Sequence, residues 1–331
     1  MITPPEFDSV LSYFAHYKQG IGFEVKVVTT NETGATTDSI KNYIQHQYND
    51  VSTRPAFVLL VGDVNKIPAY EGDPSGEVEK KPISDLGYAL LEGNDLFADV
   101  FLGRFPVKNA KQLENIIEKT IYMEKNWTNF EKKAVFIAGD ERKGAWNRIY
   151  MTNTYKAGHK YVIRNSFIPL GYDCKELEQP NKEEVIKVLS DNPLFFIYAG
   201  HGAPRAFVGN SFNLVKKDIS TATNTVFPVV FSFACKTGNF AQKSIGEAFI
   251  CEKEKGAVAF LGSSVVSRTN ADPIIERKIL GDAFLKDARY LSEMINLGMK
   301  RFAKSAGISK KRKEIYMKSY NLLGDPSFAF K

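Results

Sequence analysis

Leu194-Phe195-Phe196-Ile197-Tyr198-Ala199-Gly200-His201-Gly202 and Val229-Val230-Phe231-Ser232-Phe233-Ala234-Cys235 decide the fold of this 331-residue chain. Each is an apolar run that does not alternate with polar residues, and each stops at a side chain capable of chemistry. A run apolar at every position suits a strand covered on both faces, as in a parallel sheet. Shorter runs of the same kind stand at residues 23–28, 56–61, 100–102, 134–138 and 257–261, and the two quoted runs extend to 194–199 and 226–234. Helical spacing fills the gaps at 37–48, 110–126, 182–189 and 244–253, with Asn181 placed to cap the third of these. Strand–helix alternation predicts an α/β fold with right-handed crossovers.

In such a sheet, parallel strands end at one edge, about 4.8 Å apart when they are neighbours. The connection between Gly202 and Thr225 is long enough for the required crossover. His201 and Cys235 should therefore emerge side by side at the edge where open α/β sheets gather ligands. A thiol beside an imidazole is a nucleophile with its proton acceptor at hand. The backbone N–H groups of Gly202 and Cys235 could hold an oxyanion there. The plainer alternative stays open on spacing alone: a Cys ending a buried strand is often a small apolar residue.

Composition narrows the classes. With 44% hydrophobic and 25% charged residues, the chain is neither disordered nor collagen-like. Its length favours two subdomains over one core, and the end of the 110–126 helix divides residues 1–130 from residues 131–331. No apolar run approaches the ~20 residues of a membrane span. The net charge of +6 owes much to Lys310-Lys311-Arg312-Lys313, which reads as a solvated helical face rather than a nucleic-acid patch. Three cysteines, at 174, 235 and 251, are odd in number and lack any C-x-x-C pair, against a disulfide scaffold or thiolate metal site. Cys174 and Cys251 read as packing residues. No G-x-S-x-G, H-E-x-x-H, P-loop or G-x-G-x-x-G motif competes.

Tyr198-Ala199-Gly200-His201-Gly202 followed by Phe233-Ala234-Cys235-Lys236-Thr237-Gly238-Asn239-Phe240 resembles the gingipain family of cysteine peptidases, related in fold to caspases and legumain. Leu59-Leu60-Val61-Gly62-Asp63, Ser84-Asp85-Leu86-Gly87-Tyr88 and Gly103-Arg104-Phe105-Pro106 extend the likeness upstream. Gly256-Ala257-Val258-Ala259, Gly262-Ser263-Ser264 and Leu323-Gly324-Asp325-Pro326-Ser327 extend it downstream.

The resemblance implies a caspase-like α/β/α sandwich of two abutting subdomains, the second carrying a His/Cys dyad. It implies a cysteine endopeptidase with Cys235 as nucleophile, His201 as general acid/base, and the Gly202 and Cys235 amides as oxyanion hole. An acid behind the histidine is expected at Asp140 or Glu141, after the 134–138 strand. Arg- or Lys-specific relatives carry a D-x-x-H pattern, whereas here the matching stretch is Lys156-Ala157-Gly158-His159. Lys156 would repel a basic P1 side chain, so an acidic or small polar P1 is expected. Ser263, Ser264, Val265 and Val266 are expected to line the same pocket.

No cofactor is required, but the family carries structural calcium. Asp63, Asp73, Asp85, Asp95 and Asp99 are candidate ligands, with solvated loop acids as the other reading. The implied partner is a peptide or protein, the implied state a monomer. The implied location is extracytoplasmic, within a longer precursor, a compact cytoplasmic protein being the opposing reading. An inactive peptide-binding relative and a sortase-like transpeptidase share all these residues and stand as alternatives.

Overall fold

The computed structural model describes residues 1–331 apart from 73–80, 140–147, 210–211, 285–287 and 331, with backbone alone at 148–152 and 282–283. Among the described residues, ten strands form one sheet. In spatial order they are Val28–Thr29, Ile2–Thr3, Phe57–Val61, Phe101–Phe105, Tyr320–Leu323, Ala259–Ser263, Val229–Phe233, Phe195–Ala199, Lys133–Ala138 and Asp173–Glu178. Neighbours run parallel except Tyr320–Leu323 against Ala259–Ser263. That strand, from the far end of the chain, stands between the strands of the first 130 residues and the rest, with Leu323 opposite Arg104.

The two quoted apolar runs lie at the centre of the sheet as neighbours, registered from Phe195 opposite Val229 to Ala199 opposite Phe233. Their side chains explain the lack of alternation. Phe195, Ile197, Ala199, Val229, Phe231 and Phe233 enter the core on one face, among Ile275, Ile279, Met294 and Tyr316. Phe196, Tyr198 and Val230 enter the core on the other face, among Phe14, Leu113, Ile117, Val188 and Phe249. Each face is roofed by helices: Asp8–Gly20, Ala110–Asn126, Lys182–Ser190 and Ile245–Cys251 on the second, Leu291–Ala303 and Lys310–Ser319 on the first. This is the α/β/α sandwich expected.

Helix ends follow local chemistry. Asn181 caps the Lys182–Ser190 helix, its side-chain oxygen accepting from Glu184 N at 2.9 Å. Ser244 and Glu247 form a reciprocal capping box on Ile245–Cys251. Residues 23–28 depart from expectation, since only Val28–Thr29 pairs as a strand. Phe23 instead packs its ring against Phe57 and Tyr290, at 5.8 and 5.7 Å between centroids.

Candidate active site

The turn after Val229–Phe233 is shaped by its own sequence. Lys236, directly after Cys235, takes φ 62, a left-handed conformation that reverses the chain at once. Its N–H donates to Val265 O at 2.9 Å. Thr237 Oγ1 lies 2.7 Å from Ser232 Oγ and folds the turn back on its own strand. Gly238 must be glycine, because a Cβ there would lie 2.3 Å from Gly262 O. Asn239 completes the brace, donating from Nδ2 to Ser264 O at 3.1 Å.

His201 follows the neighbouring strand and opens a three-stranded antiparallel sheet with Ala206–Val208 and Asn213–Val215. Tyr198 anchors that opening from below, its hydroxyl donating to His201 O at 2.7 Å. Gly200 N donates to Phe233 O at 3.3 Å, tying the two strand ends together. Gly202 then runs against the thiol-bearing turn: a Cβ at 202 would lie 2.5 Å from Cys235 O and 2.7 Å from Thr237 Cγ2. Consecutive residues His201 and Gly202 thus sit at the same sheet edge as Cys235.

On the other flank of Phe195–Ala199, the Lys133–Ala138 strand also reaches this edge. Gly139 N donates to Ala199 O at 2.8 Å, and a Cβ on Gly139 would come within 3.3 Å of Gly200 Cα. Asp140 and Glu141, next in the chain, lie outside the described residues.

Behind Cys235 stands a set of side chains that reading the sequence did not find. Cys235 Sγ lies 3.7 Å from Ser267 O and 3.8 Å from Ser267 Oγ. Ser267 Oγ donates to Asp272 Oδ2 at 2.9 Å. Tyr316 donates to Asp272 Oδ1 at 2.6 Å and Tyr320 at 3.4 Å. Asp272 is only 1% exposed. Burial pushes its carboxyl up to about 7, although the bonds from Tyr316, Ser267 and Tyr320 pull the other way. Burial likewise raises the Cys235 thiol, and the Asp272 charge adds to it, while the Ser267 bonds and Lys236 lower it.

Ser263, Ser264 and Val265 are buried at 1–2% exposure and brace the turn: Gly238 N donates to Ser263 O at 2.9 Å, as Lys236 N does to Val265 O. Ser267, three residues beyond Ser264, is the member of this loop that meets the thiol. Lys156 ion-pairs with Glu178 Oε1 on the edge strand at 2.5 Å. His159 is buried against Glu276, Nδ1 to Oε1 at 2.7 Å. Tyr155, one position before Lys156 on the same helix, turns to the Cys235 side, donating to Thr269 Oγ1 at 3.2 Å.

The four candidate calcium ligands among the described residues each have other partners. Asp85 takes a two-pronged bond from Arg104, Nε to Oδ2 and Nη2 to Oδ1, both 2.7 Å. Asp63 accepts from Asn65 N, Asp95 from Phe97 N, and Asp99 from Leu91 N and Glu92 N. Asp73 lies outside the described residues. Among the described residues no three His, Cys, Asp or Glu side chains are grouped to hold a metal ion, and no helix is long and apolar enough to cross a membrane.

A model of peptidase family C25 matches residues 1–331. Lys-gingipain HG66 of Porphyromonas gingivalis is 26% identical over 359 residues, covering 99% of this chain and 20% of that protein. Gingipain R2 of the same organism is 26% identical over 280 residues, covering 80% of this chain and 36% of its own length. The chain therefore spans between a fifth and roughly a third of these relatives. Among solved structures, one titled "Structure of Protease" superposes with TM-score 0.86 at 24% identity, covering 99% of this chain and 77% of that one. The Arg-specific cysteine proteinase gingipain R superposes at 0.80 with 21% identity, again covering 99% and 77%. These superpositions establish the fold.

Proposed function

Because the chain belongs to peptidase family C25, we propose that it is a cysteine endopeptidase working through Cys235 and His201. The observation that carries this reading is the packing of Gly202 on the Cys235 carbonyl, which keeps the histidine and the thiol on one edge. Cys235 Sγ attacks the scissile carbonyl and His201 takes the thiol proton. The tetrahedral oxyanion is held by the N–H groups of Gly202 and Cys235, each donor worth about 3 kcal/mol. His201 returns the proton to the leaving amine, and an acyl-enzyme remains. Water, deprotonated by the same histidine, then releases the new carboxylate. An acid at Asp140 or Glu141 would orient the imidazole. Residues 131–331 supply this chemistry and residues 1–130 its support.

The proposal includes a P1 preference other than Arg or Lys. Lys156 stands where basic-specific relatives carry an acid, and its ammonium is held by Glu178. The buried acid Asp272 is enclosed by Ser267, Tyr316 and Tyr320. Substrate is a peptide or protein, the acting unit a monomer, and the extracytoplasmic location implied by the resemblance belongs to the same proposal. Calcium, if bound, is structural in this reading and takes no part in the reaction.

Peptide-library profiling of wild type beside Cys235→Ala and His201→Ala tests the reading. Cleavage should vanish in both variants, and an acyloxymethyl-ketone probe should label Cys235 well ahead of Cys174 and Cys251. Retained turnover in Cys235→Ala would end the peptidase assignment, and robust cleavage after Arg or Lys would end the specificity.

A further inference from the structure

Three chain segments that are distant in sequence converge behind the sulfur of Cys235. The thiol comes from the turn at 235, Ser267 and Asp272 from the loop and helix start after Ala259–Ser263, and Tyr316 and Tyr320 from the last helix and strand. The contacts form one line. Cys235 Sγ meets Ser267 O and Oγ at 3.7 and 3.8 Å, and Ser267 Oγ donates to Asp272 Oδ2 at 2.9 Å. Tyr316 and Tyr320 close the far end. The Cys235 S–H donates to the Ser267 carbonyl, and the Ser267 hydroxyl, its own hydrogen committed to Asp272, stands beside it as a second acceptor.

We propose that Ser267 orients the Cys235 thiol for attack and that Asp272, acting through Ser267, is a positioning residue for the same reaction. The inference rests on Cys235 being the nucleophile. A serine oxygen pinned by a buried carboxylate keeps its place beside its own carbonyl, so the sulfur is offered two fixed acceptors on one residue and therefore one rotamer. When the thiol proton leaves for His201, Ser267 must turn its hydrogen toward the sulfur to stabilise the thiolate, which breaks its bond to Asp272. The line thus couples orientation to charge, since a carboxylate this close opposes a second negative charge.

The other ionisable groups around the line can be accounted for. Tyr155 faces it from the Arg148–Val162 helix, and Tyr316 and Tyr320 from the C-terminal end; all three phenols are held well above their usual range by burial and stay neutral. Glu276 lies one turn along from Asp272 and is paired with His159. Lys236 directly follows the nucleophile in the chain, and His201 stands just beyond the end of the neighbouring strand.

The test uses the whole chain in four variants: Ser267→Ala, Ser267→Thr, Asp272→Asn and Cys235→Ala. Peptide turnover is measured together with the pH dependence of Cys235 alkylation by iodoacetamide, read by mass spectrometry with Cys174 and Cys251 as internal references. Ser267→Ala should lower kcat roughly five- to tenfold, the value of one hydrogen bond, with KM little changed. Ser267→Thr keeps the hydroxyl and should recover most of that loss. Asp272→Asn keeps the shape and removes the charge, so the alkylation midpoint of Cys235 should fall by about one pH unit, while the other two thiols do not move.

Wild-type kcat and an unchanged Cys235 profile in folded Ser267→Ala and Asp272→Asn would overturn the proposal. Should Ser267→Ala not fold, the Asp272→Asn profile decides, and failure of both to fold would make the line purely structural and overturn it too. Turnover surviving in Cys235→Ala sinks the nucleophile itself. An inactive Cys235→Ala beside unaltered Ser267 and Asp272 variants sinks only this inference.

Discussion

Gly202→Ala isolates the contact on which the proposed chemistry depends. An added Cβ would lie 2.5 Å from Cys235 O, 2.7 Å from Thr237 Cγ2 and 3.0 Å from Ala234 Cβ. Carbon–oxygen contacts settle near ~3.3 Å and carbon–carbon contacts near ~3.5–4.0 Å, so the two segments must part by about 0.8 Å. The thiol-bearing turn has little room to give. Thr237 is tied to Ser232 at 2.7 Å, and Lys236 N to Val265 O at 2.9 Å. The His201–Ala203 strand must move instead, carrying the imidazole and the 202 N–H away from the sulfur. Overpacking of this kind costs about 1–3 kcal/mol, of which about 0.4–1 kcal/mol is returned by the stiffer unfolded chain. Misplacing reacting groups by about 1 Å can cost 10²-fold in rate. The expected signature is therefore a loss of about 1–2 kcal/mol in denaturant unfolding beside a fall of roughly two orders of magnitude in kcat/KM. Gly20→Ala is the control, since a Cβ there meets nothing within 4 Å. Wild-type kcat/KM in Gly202→Ala would refute the claim that this packing sets the site, and outright unfolding would show that the contact serves stability first.

Arg104, 0% exposed, donates to Asp85 through two bonds and to the Gly62 and Ile67 carbonyls at 2.7 and 2.8 Å. Lys cannot reproduce that fork, so Arg104→Lys should cost about 3–5 kcal/mol in urea unfolding. Its guanidinium also lies 4.9 Å from the Phe240 ring, so a shifted alkylation rate at Cys235 should accompany the loss. Lys18 bridges Glu124 at 2.7 Å and Asp325 at 2.6 Å in a nearly dry site. Lys18→Met strands two buried carboxylates and should destabilise by a similar ~3–5 kcal/mol, seen as a large drop in melting temperature. Asp272 supplies a pH signature: its folded-state value near 7 exceeds the usual 3.8, so the folded protein holds this proton more tightly than the unfolded chain. Its contribution, about 4 kcal/mol at most, is present in full below pH ~4 and is lost as pH rises towards and through 7. Asp272→Asn should flatten that part of the stability–pH curve, and an unchanged slope would contradict the assignment.

The legible part of this molecule is the part where one strand's neighbours can be inferred from that strand alone. Phe195–Ala199 and Val229–Phe233 are buried at every position, so their apolar runs declare two covered faces, and their C-terminal ends declare one edge. His201 and Cys235 follow directly. Asp173–Glu178 pairs just as regularly with Lys133–Ala138, yet it stands at the border of the sheet with most side chains exposed or half-exposed. Its composition, Asp-Cys-Lys-Glu-Leu-Glu, therefore resembles a loop or a helix. Tyr320–Leu323 is hidden for another reason: four residues are too few to show a period, and its place between the two halves of the sheet is set by partners about 60 and 220 residues away in sequence. The Ser267–Asp272 pair combines both difficulties. Asp272-Pro273 reads locally as a helix start, and Ser267 as one polar residue in a loop. Their meaning comes from Tyr316, Tyr320 and Cys235 converging on them, and no spacing within residues 263–276 encodes that convergence. A strand end announces where chemistry can occur, whereas the groups that tune it are recruited across the sheet and become visible only once the layers are stacked.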